Sequence, residues 1–271
     1  RVPVDRWFAA HVAPLGGPPN RLMIVLHDLT PLRRTEEMRV DFVANASHEL
    51  RTPLAALSGF IDTLRGSARD DAAARERFLA IMKSQATRMA RLIDDLLSLS
   101  RIELTEHMHP DKPVDLVPIV RQVTDGLQTL AVERNVEVEL GAPDAPMIVL
   151  GDRDELTRVF ENLVENALKY GASGKRVSVS FASAKSAAGT EALVAVRDYG
   201  PGIAAEHLPR LTERFYRVDV TQSRAEGGTG LGLSLVKHIL NRHRGRIVIE
   251  SEAGKGATFT ARLPLVPGEA G

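Results

Sequence analysis

Ser47-His48-Glu49-Leu50-Arg51-Thr52-Pro53-Leu54 sits inside a stretch, residues 35–104, that breaks once, at residues 65–70, and otherwise carries no glycine-rich turn. Apolar positions recur there in alternating strides of three and four. Val40, Val43, Ser47, Leu50, Leu54, Leu57, Ile61 and Leu64 form the row before the break; Phe78, Met82, Gln85, Met89, Leu92, Leu96 and Leu99 form the row after it. This heptad spacing is the seam of a helix packed on another helix, so it predicts two long helices in an antiparallel hairpin. Ala56, Phe60, Ile81, Ile93 and Leu97 widen the stripes beyond what one hairpin covers. A homodimer closing a four-helix bundle is the expected remedy.

His48 follows a seam residue and so lies beside the apolar stripe. Thr52 is one turn away on the same face. Glu49 is adjacent and able to take an imidazole proton, which would leave the other ring nitrogen as a nucleophile. Pro53 removes a hydrogen bond to the Glu49 carbonyl, at a cost of roughly 3 kcal/mol in a helix interior. A lone exposed histidine means little. Histidine, acid, threonine and proline converging on one bend point to a reactive site.

Residues 7–15 and 21–28 read as strands joined by the turn-rich Gly16-Gly17-Pro18-Pro19-Asn20. A lone hairpin is marginal in water, so it reads as the end of a larger domain. After Pro110 and Pro113 the pattern alternates. Strands are expected at 136–140, 147–150, 177–181, 193–197, 246–251 and 258–263, helices at 116–133, 154–170 and 231–242, and a hairpin loop at 185–190.

The helix at 154–170 has two faces. Leu156, Val159, Phe160, Leu163 and Ala167 form its inward stripe, while Arg158, Asn162, Asn166, Lys169 and Tyr170 share another side. The amide oxygens of Asn162 and Asn166 suit a hard cation such as magnesium, and Lys169 suits phosphate. Asp198-Tyr199-Gly200-Pro201-Gly202 ends a strand with a carboxylate able to accept from an exocyclic amine, followed by a loop that permits close approach. Gly227-Gly228-Thr229-Gly230-Leu231-Gly232 precedes a helix whose first amides can hold phosphate. It is neither a Walker loop nor a dinucleotide fingerprint. Between the two clusters, residues 204–226 have the character of a lid.

The motif around His48 resembles the phosphoacceptor segment of bacterial sensor histidine kinases. The later motifs, in order, resemble the nucleotide-binding boxes shared by those kinases, DNA gyrase and heat-shock chaperones. The resemblance implies a helical hairpin forming a dimeric four-helix bundle, followed by an α/β sandwich ATPase domain. It implies phosphorylation of His48 with Glu49 as base, and Thr52 positioning water for phosphatase action. It places Asn166, with Asn162, at magnesium and Asp198 at adenine. Lys169, Tyr170, Gly200, Gly202, Arg214, Gly228, Thr229, Gly230, Leu231, Gly232 and Thr258 then surround the rest of ATP. Thr212 and Ala257 depart from common family residues. Within the family, the surroundings of His48 are similar to those of phosphate-regulon sensors. The implied division is a PAS-like remnant at 1–34, the phosphotransfer hairpin at 35–109 and the ATP-binding domain at 110–271. The implied partners are a second copy and a response-regulator receiver domain, and the implied location is the cytoplasmic part of a membrane sensor.

Composition bounds the alternatives. The 271 residues carry 35 basic and 35 acidic side chains, which argues against a nucleic-acid binder relying on phosphate contacts. The absence of cysteine excludes disulfides, thiol catalysis and zinc-thiolate sites. The chain starts at Arg1 and has no apolar run long enough for a membrane span, so a piece of a longer protein without membrane contact of its own is expected. Two rivals stand beside the kinase reading: an ATPase clamp of the same superfamily and a non-catalytic dimeric scaffold. Hydrolytic relatives carry a glutamate where Asn162 stands, and Glu161 and Glu165 are expected to point elsewhere by about 100° of helix rotation. The histidines at 107, 109, 238 and 243 are expected to be solvated.

Overall fold

The structure is a computed structural model. It describes residues 5–15, 22–66, 68–143, 145–186, 189–219, 223 and 226–266. The chain divides into two compact units, Arg1–Met82 and Lys83–Gly271.

In the first unit, strands β1 (Phe8–Pro14) and β2 (Leu22–Asp28) form an antiparallel ribbon in register from Phe8↔Asp28 to Pro14↔Leu22. The turn expected at 16–20 lies outside the described residues. Helix α1 (Thr30–Arg65) begins five residues before the expected start at 35. Pro31 presets the backbone of the first turn, and the Asp28 carboxylate accepts the Thr30 N–H at 2.9 Å. Trp7 anchors the ribbon to this start: its N–H donates to the Thr30 hydroxyl at 2.9 Å, and its ring lies 5.1 Å beneath the Arg33 guanidinium.

Helix α1 continues through Pro53 and ends at Gly66. Helix α2 (Ala72–Thr105) starts where the Asp71 carboxylate accepts the Ala74 N–H. Phe60 and Phe78 stack at 5.3 Å between centroids. Much of the expected seam faces solvent in the single chain: Val40, Val43, Leu54 and Ile61 on α1 are all exposed.

The second unit takes up the rest of α2 and an α/β fold. Strand β3 (Pro113–Asp115) pairs antiparallel with β5 (Ile148–Leu150). The helix expected at 116–133 is two helices, α3 (Leu116–Gly126) and α4 (Gln128–Glu133). Gly126, a poor helix former, ends the first of them. Strands β4 (Glu137–Leu140), β6 (Arg176–Ser186), β7 (Gly189–Asp198), β8 (Arg246–Ser251) and β9 (Ala257–Pro264) form one sheet in the order β4-β6-β7-β9-β8. Only the β4–β6 pair is parallel. The loop expected at 185–190 is shorter, because pairing runs out to Ser186↔Gly189.

Alternation builds the sheet's inner face. Val179, Val196, Phe259 and Ile249 lie across one row, and Phe181, Val194, Ala261 and Ile247 across the next. Helices α5 (Arg153–Tyr170) and α6 (Gly232–Arg242) supply the opposing layer through Leu156, Phe160, Leu163, Leu235 and Ile239, all fully buried. Each such side chain contributes about 1.5–3 kcal/mol on burial. Asp115 and Asp152 cap α3 and α5, the latter accepting from the N–H groups of Asp154 and Glu155.

His243, expected to be solvated, is a core residue instead. It follows α6 and is 4% exposed. Its Nδ1 lies 2.8 Å from the Ile239 carbonyl, and its Nε2 accepts the Asp152 N–H at 3.0 Å. That pairing requires the neutral ring with its proton on Nδ1, and burial lowers its pKa, with Glu155 and Asp152 nearby opposing. His109 is also held, with Nδ1 2.8 Å from the Arg242 carbonyl. Among the described residues no group of three or more His, Asp or Glu is placed to hold a metal.

A depressed histidine pKa means that the unfolded chain binds the proton first. Stability from His243 is therefore present above the unfolded value near 6.5 and declines as pH falls below it. The melting temperature should drop between pH 7.5 and pH 5.5, and His243→Gln should show a smaller drop from a lower start. An equal drop in both proteins contradicts this assignment.

Candidate functional site

Within the second unit, a cavity of about 560 Å³ opens along the polar face of α5. The helix supplies its floor because the two faces foreseen from the spacing are both realised. Leu156, Phe160 and Leu163 turn to the sheet, and Arg158, Asn162, Asn166, Lys169 and Tyr170 reach the cavity. The Asn162 side-chain amide donates to the Arg158 carbonyl at 2.8 Å, which turns its oxygen towards the start of α6. Lys169 pairs with Glu165 at 2.8 Å, and Tyr170 meets the Ser223 hydroxyl at 3.1 Å.

Asp198 closes one end of the cavity from the tip of β7 and is itself buried. Its Oδ1 accepts the N–H groups of Gly200 at 2.9 Å and Ala257 at 3.3 Å. Burial raises its pKa, and these two amides pull it back. A fixed, buried acceptor at a cavity wall suits an exocyclic amine. Gly202 lets the loop after Asp198 pack closely against the backbone of residues 252–256. It has φ +67°, and a Cβ there would lie 2.1 Å from the Glu252 carbonyl oxygen.

The other end is built by the loop before α6. Gly228, Thr229, Gly230 and Gly232 all reach the cavity. The first amides of α6 lack partners within the helix and carry the positive end of its dipole, a natural anion site. Gly232 lets α6 approach α5, since a Cβ there would lie 2.4 Å from the Asn162 oxygen. Arg217, which the sequence reading did not single out, braces the loop by donating to the Gly228 and Thr229 carbonyls at 3.1 and 2.9 Å. Phe215 takes φ +62° and donates its N–H to the Gly230 carbonyl. Left-handed backbone in a bulky residue costs about 1–2 kcal/mol and marks this junction as specially held.

Other expected residues stand apart from the wall. Arg214 pairs with Glu103 of α2, Leu231 is buried in the core, and Gly200 serves through its amide. Thr258 faces away while its neighbours Ala257 and Phe259 line the cavity, as strand alternation requires. Glu161 and Glu165 do reach the cavity, contrary to the rotation argument, because their long side chains cross the angular gap. Glu165 is held by Lys169 and by Arg91 at 3.2 Å; partial burial raises the pKa of Glu161.

His48 lies exposed on α1 in the first unit, and the Thr52 hydroxyl donates to the His48 carbonyl at 3.2 Å. Glu49 follows it on the helix and is half-buried.

Comparison with known proteins adds to this geometry. Residues 38–105 match the His Kinase A (phospho-acceptor) domain, and residues 151–267 match the histidine kinase-, DNA gyrase B- and HSP90-like ATPases. The phosphate regulon sensor protein PhoR of Pseudomonas aeruginosa is 42% identical over 250 residues, covering 92% of this chain and 55% of PhoR. The chain belongs to the sensor histidine kinases. A second family member, the sensor-like histidine kinase SenX3 of Mycobacterium tuberculosis, is 38% identical over 244 residues, covering 90% of this chain and 58% of SenX3. The chain thus spans a little over half the length of these two relatives. Among solved structures, full-length ShkA in complex with AMPPNP aligns with TM-score 0.59 and 25% identity over 83% of this chain and 46% of its own. The Acinetobacter baumannii histidine kinase AdeS shares the fold, with TM-score 0.61 at 24% identity over 80% of this chain and 98% of its own. Residues 151–267 of the second unit accordingly carry the ATPase fold of that family, and they supply most of the cavity's lining.

Gly232→Ala tests the α5–α6 approach. Its Cβ must displace the Asn162 side chain while the helix itself gains propensity. ATP affinity measured by calorimetry should fall about tenfold, equivalent to 1.4 kcal/mol. The melting temperature should hardly change.

Proposed function

We propose that this chain is the catalytic core of a sensor kinase that phosphorylates His48 from ATP and passes the phosphoryl group to an aspartate of a response-regulator receiver domain. The observation that carries the reading is the pairing, in one chain, of an exposed His48 beside a half-buried Glu49 on a phosphoacceptor helix with a cavity that has a buried acceptor at one end and helix-start amides at the other.

In this reading adenine meets Asp198, and the phosphates meet Lys169 and the amides at the start of α6. Asn166, with its neighbour Asn162, supplies amide oxygens of the kind that hold magnesium. Magnesium, when bound, neutralises phosphate charge. An imidazole nitrogen of His48 forms a bond to the γ-phosphorus as the bond from that phosphorus to the bridging oxygen breaks. ADP leaves with the electron pair, and Glu49 takes the ring proton. Thr52, one turn further on, is suited to orient water for hydrolysis of the partner's aspartyl phosphate, which releases inorganic phosphate.

The exposed apolar row on α1 supports a second copy of the chain as partner, since dimerisation would cover it. We assign residues 1–34 to the end of a PAS-like sensor domain, 35–109 to the phosphotransfer hairpin and 110–271 to the ATP-binding domain. Among the described residues no helix is long and apolar enough to cross a membrane. Placement as the cytoplasmic portion of a membrane sensor rests on the likeness to the named relatives.

Incubation with magnesium and γ-phosphate-labelled ATP tests the reaction. Wild type should acquire label that survives alkali and is lost in acid, and His48→Ala should acquire none. Unlabelled protein that still releases phosphate would replace this reading with an ATPase.

A further inference from the structure

The phosphate end of the cavity already contains an anion, and it belongs to the chain. Asp95, on the part of α2 within the second unit, is 7% exposed and lies in the cavity wall. One carboxylate oxygen accepts the Thr229 hydroxyl at 2.9 Å; the other accepts the Arg158 guanidinium at 3.0 Å. Thr229 belongs to the glycine loop that leads into α6, and Arg158 stands one turn before Asn162 on α5. Both donors therefore flank the place where a polyphosphate would sit.

Neighbouring contacts show that this is a continuous clasp and more than one stray ion pair. Arg91, one turn before Asp95, pairs with Glu165, which also holds Lys169. Ser98 accepts from Arg158, and Glu103 pairs with Arg214. Positions 91, 95 and 98 of α2 thus meet positions 165 and 158 of α5 in descending order, as two antiparallel helices would. With the clasp closed, Arg158 and Lys169 each face a carboxylate.

We propose that Asp95 is a place-holder for a nucleotide phosphate, and that triphosphate binding and the α2 clasp compete for Thr229 and Arg158. A carboxylate and a phosphate oxygen ask for the same donors, and two anions brought to shared donors repel. Loading ATP must release Asp95, and holding Asp95 must weaken ATP. By linkage the two effects are equal in size. Adenosine reaches Asp198 without calling on these donors, so the competition is specific to the phosphates. The inference rests on the cavity being the ATP site.

Asp95→Asn keeps the shape and removes the charge. Titration of the full chain, wild type and variant, with MgATP and with adenosine separates the possibilities. The variant should bind MgATP at least about fivefold more tightly, the lower range of measured couplings, with adenosine affinity unchanged. Equal or weaker MgATP binding by the variant overturns the proposal, and so does an equal gain for adenosine. Failure of both proteins to bind MgATP removes the nucleotide reading itself. On wild type alone, amide exchange across residues 92–102 should quicken when MgATP is added; unchanged exchange there also overturns the clasp.

Discussion

Helix α5 has to satisfy two surroundings at once, and the second unit is arranged around that demand. Its apolar stripe is fully buried against the sheet, which fixes the helix in rotation to within the width of a side chain. The same fixation brings Asn162, Asn166 and Lys169 to the cavity, where the Arg158 carbonyl and Glu165 then orient the first and the last of them. A register error along α5 would therefore destroy core and site together. The Asp152 cap and the buried His243 reinforce this at the N-terminal end, tying α5 to the end of α6.

Two glycine-bearing segments then complete what α5 begins. The Asp198 carboxylate is brought in at the strand tip and held by backbone amides, so its position does not depend on a flexible partner. The loop before α6 is held from outside by Arg217 and from below by the approach that Gly232 permits. Rigid acceptors at one end and rigid amide donors at the other give the cavity a polarity that matches a base joined to a chain of phosphates.

Much of this was legible in the residue order. The α5 stripe, the strand ending at Asp198 and the glycine loop each carry local signals: periodicity, alternation and turn chemistry. The misses share a different character. β3 is three residues long and begins with a proline, so no pattern announces it. His243 looks like any histidine after a helix, and its burial is set by Asp152, 91 residues away in sequence. Asp95 falls between seam positions, where a carboxylate ordinarily meets solvent. Only the tertiary approach of α2 to α5 gives it Thr229 and Arg158. Glu161 and Glu165 reach the cavity by their length, which angular position around a helix does not convey. Roles that depend on one segment's neighbours in space are not written in that segment.

The contrast between the two kinds of donor around the cavity has a kinetic meaning. The α6 amides belong to a helix whose far end is locked by His243, so they need no rearrangement before an anion arrives. Arg158 is engaged with the Asp95 carboxylate, and freeing it requires part of α2 to give way, whereas Lys169 exchanges only its neighbour Glu165 on the same helix. On the proposed reading, a charged ligand is captured by fixed dipoles and settles against Arg158 only as a helix moves, on the microsecond-to-millisecond scale of such motions.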